Sequence, residues 1–159
     1  MIKVGDKLPE ATFTVMAEGG PKPMTTADIF NGKKVVLFGV PGAFTPTCHK
    51  NHLPSFRDKE AEIKAKGVDT IACVSVNDVF VMDAWGKDTN ANGKMLMLAD
   101  GSAKFAEATG LGLDLTERGL GKRIKRFSML VDNGVVRTLA IEENPGIELT
   151  GADAMLKQL

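Results

Sequence analysis

The stretch "VLFGVPGAFTPTCHKNHLPSF", Val36 to Phe56, carries the reading of the fold. A continuous apolar run, Lys34–Val40, stops at Pro41-Gly42, as a buried strand bounded by turn residues does. From Pro46 to about Lys66 the chain reads as one long helix, with Gly67 placed to close it. With Thr45 as N-cap, Pro46 falls at the first helical position, where its missing N–H is no loss and its φ is already helical. Cys48 then sits in the first turn, near unpaired backbone N–H groups and the positive end of the helix dipole. Both favour thiolate over thiol, and the thiolate is the nucleophile. The sulfur also lies beyond the carboxyl end of a central strand, where open α/β sheets place their ligand crevices. Gly42 and Ala43 let the backbone approach a small ligand closely. Pro54 removes the bond to the Lys50 carbonyl and predicts a kink.

Working outward, Thr12–Val15 is a short strand candidate followed by a turn at "GGPKP", and Thr26–Phe30 is a helical turn ended by Gly32. Asp69–Val76 reads as a second buried strand. Asn77 or Asp78 can cap a helix to about Lys87. Met95–Leu98 is a strand, and Ala103–Thr109 a helix closed by Gly110. Lys125–Asp132 and Val135–Ile141 flank Asn133-Gly134, a strong hairpin signal. Gly151–Leu159 closes the chain as a helix. From Lys34 onward the order β-α-β-α-β-α-β-β-α begins like a parallel βαβ unit and ends in an antiparallel hairpin plus helix, with Thr12–Val15 and Thr26–Phe30 as extra N-terminal segments. That is an α/β, thioredoxin-like plan: one domain over residues 1–159, with a mixed central sheet and helices on both faces.

Composition excludes several function classes. Lys and Arg number 20 and balance 20 Asp and Glu, so no electrostatic footprint argues for nucleic acid. The longest apolar runs are far too short to span a bilayer. The N-terminus lacks the apolar segment of a secretory signal. Two cysteines are not a disulfide framework. The expected home is a reducing cytoplasm.

"PGAFTPTC" resembles the P-x-x-x-T-x-x-C signature of peroxiredoxins. More narrowly, "VPGAFTPTCHKNHLPSF", "VSVNDVFVMDAWG", "LADGSAKF" and "KRFSMLVDNG" together resemble the peroxiredoxin 5 (type II, atypical) group. The resemblance covers nearly the whole chain. It implies a thioredoxin-like fold and reduction of hydrogen peroxide and organic hydroperoxides. It makes Cys48 the peroxidatic cysteine, with Pro41 shielding it from solvent and Thr45 donating or relaying a hydrogen bond to the peroxide. Arg126 would hold the thiolate and the developing charge. The thiolate attacks one peroxide oxygen while the other leaves as hydroxide or alkoxide, and fixed donors along that path stabilise the transition state. The product is a sulfenic acid, and no metal or organic cofactor is required. The resemblance also implies a homodimer.

Other readings compete for the same residues. Cys48, His49 and His52 form a poor zinc set without a further ligand. A cysteine hydrolase would need a histidine base backed by a carboxylate, and His49 faces another way on the helix. His52 is expected to pack or hydrogen-bond near the pocket, and His49 to lie on the surface. A thioredoxin-like reductase lacks its C-x-x-C. A redox sensor relaying oxidation to a partner protein would use the same Cys48. Cys73, inside an apolar strand, reads as a buried small hydrophobe. To resolve Cys48 its Cα would have to come within about 7 Å. Some relatives carry a thiol in the C-terminal segment that here reads "GIELTGAD", where this chain has Thr150 and Gly151. That departure favours resolution by an external thiol, glutathione or glutaredoxin, with thioredoxin as the alternative reductant.

Strand alternation puts Phe127, Met129 and Val131 on one face and Arg126, Ser128 and Leu130 on the other. Arg123 is expected to back up Arg126 or to pair with a carboxylate. Phe44, Phe80 and Trp85 are expected either in the core or at a subunit interface. "LGLDLTERGLG", Leu111–Gly121, reads either as a flexible apolar rim that admits organic hydroperoxides or as a packed loop.

Overall fold

The computed structural model describes residues 1–159. Strand β1 (Thr12–Ala17) turns at Glu18-Gly19 into β2 (Gly20–Thr25), and α1 (Thr26–Phe30) follows under a capping box made by Thr25 and Asp28. Strand β3 (Lys34–Gly39) leads to a π-helical turn (Cys48–His52), then α2 (Leu53–Asp58) and α3 (Glu60–Ala65). Strand β4 (Thr70–Ser75) and α4 (Val79–Asp88) come next, with Asp78 capping α4 through the Val81 N–H. Strand β5 (Leu96–Ala99), α5 (Lys104–Thr109), β6 (Gly112–Leu115) and β7 (Gly121–Ile124) follow. The chain ends with β8 (Phe127–Asp132), β9 (Val135–Ile141) and α6 (Ala152–Leu156).

Seven strands form one mixed sheet in the order β2-β1-β5-β4-β3-β8-β9. Strands β3, β4 and β5 run parallel, and β8 lies antiparallel to β3. Their unbroken apolar sequences follow from burial on both faces. On one face Val36, Phe38 and Cys73 pack against Leu53, Phe56, Ile63, Met82, Trp85 and Met155. On the other, Val35, Leu37 and Val74 pack against Ile29, Phe30, Phe105 and Ala106. Helices therefore cover both faces of a thioredoxin-like α/β sheet, as the sequence implied.

Three segments differ from the expectation, the first being the single helix expected from Pro46 to about Lys66, which breaks at Lys59 between α2 and α3. "GGPKP" is not only a turn, because Pro21 and Pro23 belong to β2. This strand is the sheet's edge, the one place where a proline's missing donor leaves no ladder bond unmade. Leu111–Gly121 is not a loose rim either. Gly112–Leu115 pairs with Gly121–Ile124 as a separate two-stranded ribbon, bridged by a short 3-10 turn. The predicted hairpin at Asn133-Gly134 is present, and both residues adopt the positive φ that a tight hairpin turn needs.

Candidate active site

The site assembles where β3 ends. Gly39 pairs with Phe127 in β8, so the residue before Phe127, Arg126, is delivered to the mouth of the loop Val40–Thr47. A Cβ on Gly39 would stand 2.1 Å from the Phe127 ring, so only glycine lets that ring lie over β3. The loop itself is pinned from β4. Ser75 Oγ shares its one proton between the Val40 carbonyl at 3.0 Å and Asn77 Oδ1 at 2.7 Å, and that amide oxygen also accepts from the Ala43 N–H at 3.0 Å.

The helix begins as the sequence indicates, with the His49 N–H bonded to the Thr45 carbonyl at 2.8 Å. The capping detail differs: Thr45 Oγ1 donates to the Gly42 carbonyl at 2.6 Å instead of capping the helix. The expected kink at Pro54 takes the form of the π turn, in which the Leu53 N–H reaches back to the Cys48 carbonyl. A wide turn just ahead of Pro54 relieves the clash that its ring would make with the preceding turn.

Cys48 is 1% exposed. Arg126 Nη2 donates to its Sγ at 3.0 Å, and Arg126 Nη1 donates to His52 Nδ1 at 2.9 Å. His52 in turn donates from Nε2 to the Thr150 carbonyl at 2.9 Å. Because a guanidinium only donates, Nδ1 must be the acceptor and the proton must sit on Nε2. Both ring nitrogens are thus committed, which leaves His52 no lone pair for a metal. Burial, and next the neighbouring Arg126 charge, push its pKa down to about 3 against the pull of the Thr150 carbonyl. The imidazole is neutral at any physiological pH.

Two of the four residues proposed from sequence meet here directly. Cys48 and Arg126 touch, and Thr45 stands one helical turn before the thiol. Pro41 is half-buried at the loop's start, and its carbonyl accepts from Arg123 Nη1 at 3.3 Å. Arg123 therefore neither supports Arg126 directly nor pairs with a carboxylate. It fastens the Pro41 loop and fills the space beside Gly42, where a Cβ would lie 2.9 Å from both Arg123 Nη1 and Thr45 Cγ2. The lack of a side chain at Gly42 serves this packing.

His49 is not a simple surface residue. Its Nδ1 accepts from Trp85 Nε1 at 2.9 Å, and its ring stacks on Phe44 at 5.7 Å. Trp85 is fully buried, while Phe44 and Phe80 are 48% and 64% exposed. The Asn77–Ala43, His49–Trp85 and Arg123–Pro41 contacts span 34 to 82 positions, so no local sequence signal exposes them. His52, by contrast, is expected from sequence to pack or hydrogen-bond near the pocket, and it does so on Arg126.

Cys73 lies on the same core face as Cys48 and is likewise buried. Burial pushes its thiol well above the ordinary value; a Cys48 thiolate adds to this and Arg126 opposes it. Such a thiol yields little nucleophile at neutral pH.

A thiol held against a guanidinium at the end of a central strand can attack a small electrophile. The sequence model of the Redoxin family matches residues 3–156. The chain belongs to the redoxin family. It is 46% identical to the chloroplastic peroxiredoxin-2E of Arabidopsis thaliana, over 99% of this chain and 69% of that one. With Arabidopsis peroxiredoxin-2D the identity is 45%, over 99% of this chain and 98% of the relative. Reduced Prx3 of Vibrio vulnificus, solved in complex with hydrogen peroxide, matches with a TM-score of 0.95 at 48% identity, covering 99% of each chain. Peroxiredoxin 5 of Alvinella pompejana matches with a TM-score of 0.86 at 36% identity, covering 99% of this chain and 97% of the other. Within the redoxins it falls in the type II peroxiredoxin group and is a thiol-dependent peroxidase acting on peroxides.

The buried imidazole gives this redoxin a measurable acid sensitivity. The unfolded chain binds a proton on His52 below its ordinary pKa of 6.5, whereas the folded chain resists protonation down to about 3. Stability from this residue is full above the upper value and drains away as pH falls through that window. By about pH 5 the loss is roughly 2 kcal/mol. Urea unfolding at neutral pH and at about pH 5 should show this loss in the wild type, and a loss smaller by that amount in His52→Asn. Equal losses in both proteins would contradict it.

Proposed function

We propose that Cys48 is the peroxidatic nucleophile and that an external thiol resolves it, with glutathione and glutaredoxin as the donor system. The observation that carries the first half is the Arg126 Nη2 to Cys48 Sγ contact of 3.0 Å. The thiolate attacks one peroxide oxygen, an S–O bond forms, and the O–O bond breaks. The other oxygen leaves as hydroxide or alkoxide and takes up a proton, and Cys48 becomes a sulfenic acid. Arg126 faces the sulfur from which the attack starts and steadies the charge as it moves to the leaving oxygen. Thr45 has its hydroxyl proton committed to the Gly42 carbonyl. In this rotamer its oxygen accepts from a peroxide O–H, which orients the substrate. Pro41, half-buried at the loop's start, shields the thiol from bulk water.

The second half rests on the two other places where a resolving thiol could sit. Cys73 is fully buried with a raised thiol pKa. Position 151 is glycine and carries no thiol; a Cβ there would lie 2.9 Å from Ile147 Cδ1 and 3.0 Å from its carbonyl oxygen, so the turn is closely packed around the missing side chain. A glutathione thiolate would attack the sulfenic sulfur and expel water, leaving a mixed disulfide. A second thiolate, from glutaredoxin or another glutathione, would then open it and return Cys48. Mass spectrometry of peroxide-treated protein is the test. A glutathione adduct on Cys48 is expected when glutathione is present, and added oxygens when it is absent. Quantitative formation of a Cys48–Cys73 disulfide, turned over by thioredoxin and not by glutaredoxin, would overturn the reading.

Such a cycle operates in a reducing compartment, and the cytoplasm is the one we assign. We further propose a homodimer joined through the exposed aromatics Phe44 and Phe80. Sedimentation equilibrium should give the mass of two chains, and Phe80→Asp the mass of one. A single-chain mass for the wild type would reject the dimer.

A further inference from the structure

Arg126 reaches Cys48 from the short connection between β7 and β8, and its guanidinium could rotate among several staggered arrangements. What selects one of them is the second nitrogen's partner. Nη1 ends on His52 Nδ1 at 2.9 Å while Nη2 ends on Cys48 Sγ at 3.0 Å. The two acceptors come from one wide helical turn, spaced i and i+4, and the planar fork spans them both.

The imidazole is itself fixed on three sides. Its ring lies 4.9 Å from the Phe38 ring and 5.7 Å from that of Phe56, with Phe38 and Phe56 stacked on each other at 4.3 Å. Its Nε2–H donates to the Thr150 carbonyl, which is held in a turn by the N–H groups of Thr150 and Gly151 bonding to the Ile147 carbonyl. The backbone carbonyl of His52 accepts from Ser55 Oγ, which also accepts from the Ala152 N–H at the start of α6. The C-terminal turn thereby sets which nitrogen carries the proton, and that choice makes Nδ1 an acceptor for Arg126.

We infer that His52 is a positioning residue for the peroxidase reaction: its neutral imidazole holds the Arg126 guanidinium where the other arm of the fork meets Cys48 Sγ. The inference rests on the reading of Cys48 as nucleophile. Both ring nitrogens of His52 are engaged, by Thr150 and Arg126, so it acts through Arg126. A protonated ring would present two donors, turn the arginine away and place two like charges together, so the hydrophobic seat that keeps it neutral is part of the device.

Two substitutions separate this role from a merely structural one. In His52→Asn the amide oxygen can occupy the place of Nδ1 and accept from Arg126, but nothing reaches Thr150. In His52→Gln the amide nitrogen can occupy the place of Nε2 and donate to Thr150, but the acceptor for Arg126 is lost. The readouts are the second-order rate of peroxide reduction and the rate of Cys48 alkylation by iodoacetamide at neutral pH, with folding checked by circular dichroism. His52→Asn should keep both rates within a few-fold of wild type, whereas His52→Gln should lower both by about tenfold. The opposite ranking would make His52 a tether for the C-terminal turn and overturn the inference, as would equal rates in the two variants. Failure of the Cys48 assignment would show separately, as peroxide turnover surviving in Cys48→Ser with the histidine intact.

Discussion

Cys48→Ser should abolish peroxide consumption, and Cys73→Ala should leave most of it. The two thiols share one core face, and the contrast between them is chemical. Cys48 stands at the end of β3, at the start of a helical segment, with a guanidinium N–H on its sulfur at 3.0 Å. Cys73 stands within β4, in register with Phe38 and Met97 on the neighbouring strands. It accepts no hydrogen bond and is wholly buried. Serine at 48 keeps the shape but replaces a thiol with a hydroxyl, which no single arginine contact ionises near neutrality. Alanine at 73 is chosen because a hydroxyl there would be buried without an assured partner. The lost sulfur leaves a small cavity and a modest stability loss, about 1 kcal/mol by the general behaviour of core truncations. Peroxide consumption by each variant, followed with glutathione and glutaredoxin in excess, reads the difference. Turnover retained in Cys48→Ser, or lost in a folded Cys73→Ala, would show that the wrong sulfur has been assigned.

The helical start at Thr45, the buried strands and the Asn133-Gly134 hairpin were all legible because each is written within a few residues. Strand parity went further. It put Arg126 with Ser128 and Leu130, and Leu130 does pack on the core face that holds Cys48. Parity gives a face, but not the neighbour. That Arg126 meets Cys48 follows from the pairing of β3 with β8, fixed by contacts about ninety positions apart in sequence. The same limit hid β2, whose prolines read as a turn until the strand is seen to be an edge. It also hid the Trp85–His49 bond, since a histidine next to a surface lysine gives no sign of a buried indole. The π turn was legible only as strain: Pro54 announced a defect in the helix, and packing of His52 on Phe38 and Phe56 accompanies the widened form that the defect took.

Arg126→Ala should slow the reaction with peroxide by one to two orders of magnitude while leaving the fold intact. The side chain makes two charge-assisted contacts, one to the sulfur and one to His52. A hydrogen bond from a charged donor is worth roughly 1.5–3 kcal/mol, and each 1.4 kcal/mol or so of lost transition-state stabilisation is a factor of ten. Only the part of the contact that grows as charge moves from sulfur to the leaving oxygen affects the chemical step, so the expected loss lies in the lower half of that range. Lysine should recover little. A single ammonium can meet Cys48 or His52, but it cannot hold the planar grip on both that fixes its own direction. Arg123 is the control. It is a second arginine three residues away, and its Nη1 bonds to the Pro41 carbonyl at 3.3 Å without reaching the thiol. Arg123→Ala loosens the loop but removes no contact to sulfur or to the charge that moves in the transition state, and the expected loss is under about tenfold. Stopped-flow rates at saturating reductant give the ranking directly. A wild-type rate in Arg126→Ala, or a larger loss in Arg123→Ala, would move the stabilising role from the β7–β8 connection at residue 126 to the loop clamp at residue 123.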